Sequence, residues 1–258
     1  MLFQTLKRYA DIVFYRTIAG IKSEGRQRYL GYLWFLLEPL LSTAVFYIAY
    51  SQITGRGGRD AVLLILIGML LWQWFEGSIS VGAGSIKTKF HVLNQCNLPK
   101  YIFPLVSIAV HTWKFLCVSV VFFTLASILG FPPNIYWLYL PLLFVVQLLL
   151  IISIALPISI GVTLWADLQI VISSIFRLFF FISGIFFEVK QVPESVREYF
   201  FWNPMAVLID SGRSIILRNE APSLQRLGIT IVITACFLVF SFALHARYDK
   251  RILKLTNV

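Results

Sequence analysis

The residues of this sequence best placed to do chemistry are charged side chains that interrupt long apolar stretches. A charge that faced lipid would cost on the order of a few kcal/mol or more, so these side chains are predicted to face protein or water. Two of the carboxylates, Glu38 and Glu76, could serve a proton path or could equally bond exposed amides or the basic residues of a cytoplasmic helix. The interrupting charges belong to Glu38, Glu76, Lys114, Asp167 and Arg177.

Other kinds of site lack the residue patterns that they need. The histidines His91, His111 and His245 are far apart and not at ligand spacing with cysteines or carboxylates, so no metal site is predicted. Residues 81–88, VGAGSIKT, share only a Lys-Thr pair with a phosphate-binding loop, because both required glycines are missing and no strand precedes them. No catalytic centre stands out, so the chain is predicted not to be an enzyme, and any use of ATP would need a partner.

The composition is that of a membrane protein. Hydrophobic residues make up 59% of the 258 residues, and charged residues make up 13%. A soluble domain carries about a quarter charged residues, so this chain is predicted to be integral to a membrane. The net charge of +10 is then expected to orient loops rather than to bind nucleic acid, since no basic arm is present.

The spacing of the apolar stretches predicts an all-α integral membrane protein with six transmembrane helices. Each stretch meets or exceeds the ~20 residues that cross a bilayer core of ~30 Å. Lys and Arg are more frequent on the side that would hold both termini, which predicts that the N and C termini are cytoplasmic. The predicted spans are residues 29–53, 61–85, 104–130, 135–165, 168–187 and 228–246.

Three further segments are polar or amphipathic. Residues 1–24 place apolar side chains at helical spacing, which predicts an amphipathic interfacial helix that lies on the membrane or packs on a soluble partner. Residues 87–97 predict a short cytoplasmic helix that docks a partner or simply links two spans. Residues 188–217 predict two short periplasmic helices, 193–201 and 204–217, that form a re-entrant pair in the outer leaflet or a cap on its surface.

The start of the first span is dense in charged and aromatic residues. It reads GRQRYLGYLWFLLEPLL over residues 25–41. A chain that enters a bilayer from the basic side typically shows basic residues first, then aromatic rings and then apolar residues. The group includes Arg26, Arg28, Tyr29, Tyr32 and Trp34.

Several motifs, taken in order, resemble one known family. They are RYLGYLWFLLEPLL at 28–41, GMLLWQWF at 68–75, LPK at 98–100, FPL at 103–105, VPE at 192–194 and WNPM at 202–205. With the amphipathic N-terminal helix, they are similar to the type-2 ABC exporter permeases. That family moves lipid-linked polysaccharides, capsular polysaccharide and O antigen, across the Gram-negative inner membrane. The resemblance covers nearly the whole chain.

The resemblance implies an assembly and a substrate. It implies a homodimer in the inner membrane with two cytoplasmic ATPase subunits that hold ATP and Mg²⁺, a lipid-linked polysaccharide substrate, and contact with periplasmic export proteins. Residues 1–24 would be the gate helix, and the first and fifth spans of both subunits would enclose the channel. Arg26 and Arg28 would meet a phosphate-bearing lipid head or would merely anchor the span. Tyr29, Tyr32 and Trp34 could stack on the first sugars.

The resemblance also suggests residues for coupling and gating. Residues 87–97 would be the coupling helix that docks in the ATPase, with contact candidates Lys87, Lys89, Phe90, His91 and Asn94. The family commonly has a basic residue just before the aromatic-proline step of this loop, whereas here the charge is on Lys100. Residues 188–217 would be the re-entrant periplasmic gate, with candidates Trp202, Asn203 and Pro204.

Three other functions remain open from the sequence. A secondary transporter would show inverted repeats and clustered membrane charges, and no clear repeat is found. A membrane enzyme of glycan assembly would need a carboxylate-rich loop at the membrane face, and residues 86–103 contain no acidic residue. Within the resembled family, the alternative is an exporter of teichoic acid or of a drug.

Overall fold

The computed structural model describes residues 2–27, 33–55, 58–88, 98–189 and 192–255, and this part of the chain is helical, with no β-strand. A short 3-10 helix, Ile135–Tyr139, leads directly into the fifth α-helix. The α-helices are α1 (Leu2–Gln27), α2 (Leu33–Thr54), α3 (Arg59–Thr88), α4 (Ile102–Ile128), α5 (Leu140–Leu164), α6 (Leu168–Ile182), α7 (Glu194–Phe200), α8 (Pro204–Ile216) and α9 (Leu224–Leu255).

Four helical segments of the described chain are long and apolar enough to cross a membrane. They correspond to the second, third, fourth and sixth predicted spans, and they confirm an all-helical membrane protein. The arrangement of six spans with a re-entrant helix pair stays a prediction. The four segments are Arg59–Thr88, Ile102–Ile128, Ile135–Leu164 and Leu224–Tyr248.

The predicted fifth span, residues 168–187, is wrong as a single helix. Its helix, α6, has 15 residues and ends at Ile182. It is therefore about 22 Å long, against the ~30 Å of a bilayer core. The helix ends because the chain turns at residues 183–184, where Gly184 has a φ of +75°, a conformation that glycine adopts without strain.

The helix α3 is the centre of the fold and contacts α2, α4, α5, α6 and α8. Its first half is apolar and buried on every side, as expected for a helix that other helices surround. In its second half, a Cβ added to Gly82 would lie 3.2 Å from Cβ of Ala155 and 3.2 Å from Cγ1 of Ile108. Glycine at this position therefore allows α4 and α5 to pack closely on α3.

The helix α9 packs along α5 next to a proline inside that helix. Pro157 has no N–H, so the carbonyl of Ser153 has no hydrogen-bond donor within α5. The Ser241 hydroxyl of α9 donates to that carbonyl. One helical turn further on, Nε2 of His245 lies 2.9 Å from the carbonyl oxygen of Leu156. The Ser241 hydroxyl, which also lies 2.6 Å from the carbonyl oxygen of Phe237 in α9, thus supplies a donor where Pro157 has none.

The amphipathic helix predicted over residues 1–24 is present as α1, which continues to Gln27. It packs on α4, where a Cβ added to Gly20 would lie 2.9 Å from Cγ2 of Val110. An apolar cleft of about 620 Å³ lies beside this contact, between α1, α4 and α5. Part of the apolar face of α1 therefore lies against this cleft.

Candidate functional site

A polar cavity of about 560 Å³ lies between α2, α3, α4 and α6. It gathers four of the five charges that interrupt the apolar stretches, namely Glu38, Glu76, Lys114 and Arg177. The fifth, Asp167, is exposed in the turn before α6. The structure thus brings these four charges together at one cavity, and that they avoid lipid stays a prediction. The uncharged polar residues that line the cavity are Gln73, Ser80, His111 and Ser173.

Each of three helices contributes one stripe of residues to this cavity. The members of a stripe are separated by three or four positions, which places their side chains on one face of the helix. The stripe of α3 includes Gln73, Glu76 and Ser80, that of α4 His111, Lys114 and Val118, and that of α6 Ser173, Arg177 and Phe180.

Hydrogen bonds hold several of these polar groups in place. The indole Nε1 of Trp72 donates to Oε2 of Glu76 over 2.8 Å. Across the α3–α4 contact, Oγ of Ser78 and Nδ1 of His111 are 3.1 Å apart. A Cβ on Gly77 would lie 2.6 Å from Cε1 of the same ring, so only glycine leaves room for His111 there.

Most of the aromatic rings around the cavity belong to the protein core rather than to its accessible lining. The rings of Trp74 and Phe115 are stacked with centroids 3.9 Å apart, and Nε1 of Trp74 donates to Oγ1 of Thr112 over 3.3 Å. The side chains of Trp72 and Trp74 are 1% and 2% exposed. These tryptophans therefore stabilise the walls, and the polar side chains supply the groups that a ligand could reach.

A second cavity, of about 620 Å³, lies between α1, α3 and α4. Arg16 and Ser107 line it from α1 and α4, and Thr88 lines it at the end of α3. Ser80 lines both cavities, and its Oγ accepts a hydrogen bond from Nε2 of Gln169 over 3.2 Å. The two cavities are therefore neighbours along one side of α3, from its last turn to its middle.

The structure does not describe the side chains of the residues proposed to meet the lipid head and the first sugars. Arg28, Tyr29 and Tyr32 fall in a segment that the structure does not describe. Arg26 lies in α1 and Trp34 in α2, but their side chains are not described. Their roles stay predictions.

Of the predicted coupling helix, residues 87–97, only Lys87 and Thr88 are described, and both belong to α3. Lys87 is exposed in the last turn of α3, which continues to Thr88 because the helical pattern of the span is not broken there. Lys100, by contrast, is buried at the start of α4, with 4% of its surface exposed. The remaining coupling candidates, Lys89, Phe90, His91 and Asn94, lie outside the described residues.

The gate candidates lie at the corner between two short helices, α7 and α8, whose positions agree with the sequence prediction. Trp202 is 75% exposed. Asn203 caps α8, because its Oδ1 accepts from the backbone N–H of Met205 over 3.0 Å, and Pro204 is the first helical residue. The re-entrant placement of α7 and α8 in the outer leaflet stays a prediction, and in α8 the side chains of Met205 and Leu208 are covered by protein. Both are buried in the core, since α8 packs on α3, α5 and α9.

Arg213 of α8 was missed as a site residue, because the sequence shows it only as one of several outer cations. It is 1% exposed, and its guanidinium donates to backbone carbonyls of α3 and of the segment after α6. Burial lowers the pKa of Arg213 to about 10, so the group stays charged at neutral pH.

Among the described residues, no three His, Cys, Asp or Glu side chains are grouped as metal ligands would be. The polar cavity instead combines carboxylate, ammonium, guanidinium, amide, imidazole and hydroxyl groups. Such a surface can donate and accept several hydrogen bonds at once within a largely apolar helical protein.

The sequence was compared with models of known protein families and with individual known proteins. The family of ABC-2 type transporters matches residues 14–217. The O-antigen export system permease protein RfbA of Klebsiella pneumoniae is 23% identical over 210 residues, which are 81% of each chain. That of Myxococcus xanthus is 21% identical over 252 residues, 97% of this chain and 96% of its own.

A transporter of another polysaccharide is also similar. The polysialic acid transport protein KpsM of Escherichia coli is 22% identical over 243 residues, 90% of this chain and 91% of its own. The relatives are thus named as permeases or transport proteins for surface polysaccharides, and the family match covers well over half of the chain. The chain belongs to the ABC-2 type transporter family.

Proposed function

We propose that this chain is the membrane-spanning permease subunit of an ATP-driven exporter of lipid-linked cell-surface polysaccharide. The substrate would be a capsule or O-antigen chain, moved from the cytoplasm to the periplasm across a Gram-negative inner membrane. The relatives named for O-antigen export and polysialic acid transport support this proposal. The permease itself would carry out no chemical reaction.

The observation that carries the proposal is the polar cavity among the helices. A polysaccharide is covered with hydroxyl groups that donate and accept hydrogen bonds, and it loses bonds to water when it enters a membrane protein. The carboxylates of Glu38 and Glu76, the cations of Lys114 and Arg177, and the amide of Gln73 can replace those bonds.

The second cavity, whose lining is mainly apolar, lies next to the polar cavity on the predicted cytoplasmic side and adds Arg16, Thr88 and Ser107 to the polar groups. A glycan that entered beside Arg16 and Thr88 would meet Ser80 next and then the residues of the polar cavity. All of these contacts follow one side of α3. The two cavities therefore supply part of a path from the inner surface to mid-depth.

ATP hydrolysis would take place in a separate partner. We expect a homodimer of the permease with two cytoplasmic ATPase subunits, docked where the chain connects α3 to α4. Because α3 carries Glu76 and Ser80 and ends at Thr88, a push on this connection would reach both cavities through one helix.

The test is deletion of the gene, followed by complementation and purification of the tagged permease from its own membranes. We expect the deletion to abolish surface polysaccharide and to leave lipid-linked glycan inside the cell, and an ATPase to co-purify with the wild-type chain. Unchanged surface polysaccharide in the deletion strain would contradict the proposal. Gain of drug sensitivity with normal polysaccharide would favour a drug exporter.

A further inference from the structure

The guanidinium of Arg213 uses all five of its N–H groups. Nε and Nη2 donate to the carbonyl of Leu64 in α3 over 3.3 and 3.0 Å. Nη2 also donates to Ile185 over 2.7 Å, and Nη1 donates to Gly184 and Phe187 over 2.7 and 2.8 Å. One side chain of α8 is thus bonded both to α3 and to the segment that follows α6.

Backbone carbonyls accept all the hydrogen bonds of this charge, while the carboxylates of Asp210 and Glu188 attract it without a direct ion pair among the described residues. The carboxylate of Asp210 instead pairs with Arg218, whose Nη2 lies 2.8 Å from Oδ1. Burying a cation is costly, and a buried charge is weak evidence that a residue serves stability, because an apolar side chain often serves stability as well. The geometry that Arg213 imposes on its four carbonyls is therefore the better explanation of its presence.

Two glycines make room for this arrangement. A Cβ on Gly68 would lie 3.1 Å from Cα of Ile185 and 3.3 Å from Nη2 of Arg213. Gly184 has a φ of +75°, and a Cβ there would lie 2.6 Å from Cζ of Phe200. The backbone around the guanidinium can thus approach α3 and α7 only where side chains are absent.

A second contact joins α8 to the end of α6. Nδ2 of Asn203, the cap of α8, donates to Oγ of Ser183 over 2.9 Å. That hydroxyl in turn donates to the carbonyl of Phe179 in α6 over 2.7 Å. The segment after α6 is thus bonded near both ends of α8, at Asn203 and at Arg213.

We infer that Arg213 is a positioning residue, which with Asn203 fastens α6 to α8 so that the two move as one unit. The inference rests on the proposed function, since α6 carries Ser173, Arg177 and Phe180 into the polar cavity. When that wall of the cavity moves, the outer helix pair α7–α8 therefore moves with it. Rigid-body movement of this kind is a common way to open and close a transporter.

The experiment measures the distance between spin labels on α6 and at the α7–α8 corner. The labels replace Leu178 and Trp202, which are 66% and 75% exposed, after Cys96, Cys117 and Cys236 are changed to Ser. The full permease complex is measured in nanodiscs by double electron–electron resonance, with and without ATP. Surface polysaccharide is measured in parallel at matched membrane levels of each variant.

Two substitutions loosen the fastening in different places, and each has a control. Arg213→Lys keeps the charge but has too few N–H groups for four carbonyls, and its control is Arg218→Lys at the end of the same helix segment. Ser183→Ala removes the acceptor for Asn203 and keeps the cap. Its control is Ser211→Ala, since the Ser211 hydroxyl bonds only its own helix, at Val207.

Doubly labelled chains are diluted with an excess of cysteine-free chains, so that most labelled dimers carry one labelled protomer. We expect the wild type then to give one narrow distance that ATP does not change. Arg213→Lys and Ser183→Ala should broaden it and lower export by about tenfold, and both controls should behave as wild type. A wild-type distance that shifts with ATP, variants that stay narrow, or normal export despite broadening would each overturn the inference. If the Arg213→Lys variant fails to accumulate in the membrane, the distances and export of Ser183→Ala still test the inference. Absence of export by the wild-type complex would refute the proposed function instead, while the distances would still test the fastening.

Discussion

Trp72 and Glu76 are joined across one turn of α3 by a hydrogen bond of 2.8 Å from the indole Nε1 to Oε2. The indole is 1% exposed, whereas the carboxylate lines the polar cavity. The bond fixes the position of Oε2, whereas the second oxygen of the carboxylate is not held by Trp72. The core of the protein thus orients a charge at the place where the proposed path crosses the middle of α3.

We predict that Glu76→Gln lowers export several-fold without lowering the amount of folded permease. The amide oxygen can still accept from Trp72, so the wall keeps its packing, but the negative charge facing the cavity is lost. Surface polysaccharide per unit of membrane-inserted protein measures the effect. The control is Glu194→Gln on exposed α7, where the carboxylate only meets Arg197 at 3.9 Å. Equal export by both variants would show that the charge of Glu76 has no part in transport.

The sequence predicted the helices well because apolar length and helical spacing are local properties. It also identified Glu38, Glu76, Lys114 and Arg177 one by one. It could not show that they line one cavity, since that depends on how α2, α3, α4 and α6 are rotated against each other. The end of α6 was missed for a related reason. The residues after Ile182 are apolar enough to continue a span, and only their turn at Gly184 removes them from the helix.

Arg213 shows a second limit of prediction from the sequence. In the sequence it is simply a cation outside the apolar stretches, whereas its partners are carbonyls, which every residue has. No pattern of side chains in the sequence can therefore predict this kind of site, because the site forms only when α3, α6 and α8 pack together. The same holds for Met205 and Leu208, whose burial follows from the helices that cover them.

We predict opposite effects for two neighbouring glycines of α3. Gly82→Val should destabilise the protein by about 1–3 kcal/mol through overpacking against Ala155 and Ile108. Gly84→Ala should be neutral or stabilising by up to about 1 kcal/mol, because the nearest atom to its Cβ, Oε1 of Gln169, is 4.0 Å away and alanine favours helix. Thermal unfolding of the purified permease in one detergent compares them directly. Equal melting temperatures would contradict the packing assigned to Gly82.

The predicted topology can be checked with two exposed positions. Trp202 is 75% exposed at the α7–α8 corner, and Lys87 is exposed at the end of α3. In a cysteine-free chain, Trp202→Cys should react with an impermeant maleimide in cells whose outer membrane alone is permeabilised. Lys87→Cys should react only after the inner membrane is opened. Labelling of both positions from the same side would rule out the arrangement of six spans with cytoplasmic termini.

The contact between Ser241 and the carbonyl of Ser153 exists because Pro157 cannot bond that carbonyl itself. Ser241→Ala should therefore leave a buried carbonyl unpaired and cost about 1–3 kcal/mol of stability. Pro157→Ala restores an N–H within α5 that can bond Ser153 in place of the hydroxyl.

The two changes should consequently be non-additive. In the Pro157→Ala background, Ser241→Ala should cost clearly less than in the wild type, with a coupling free energy of about 0.5–3 kcal/mol in a double-mutant cycle. Denaturation of all four proteins in the same detergent gives the cycle, and Ser211→Ala provides a buried serine whose hydroxyl bonds its own helix. Additive costs would mean that α9 does not satisfy the carbonyl freed by the proline.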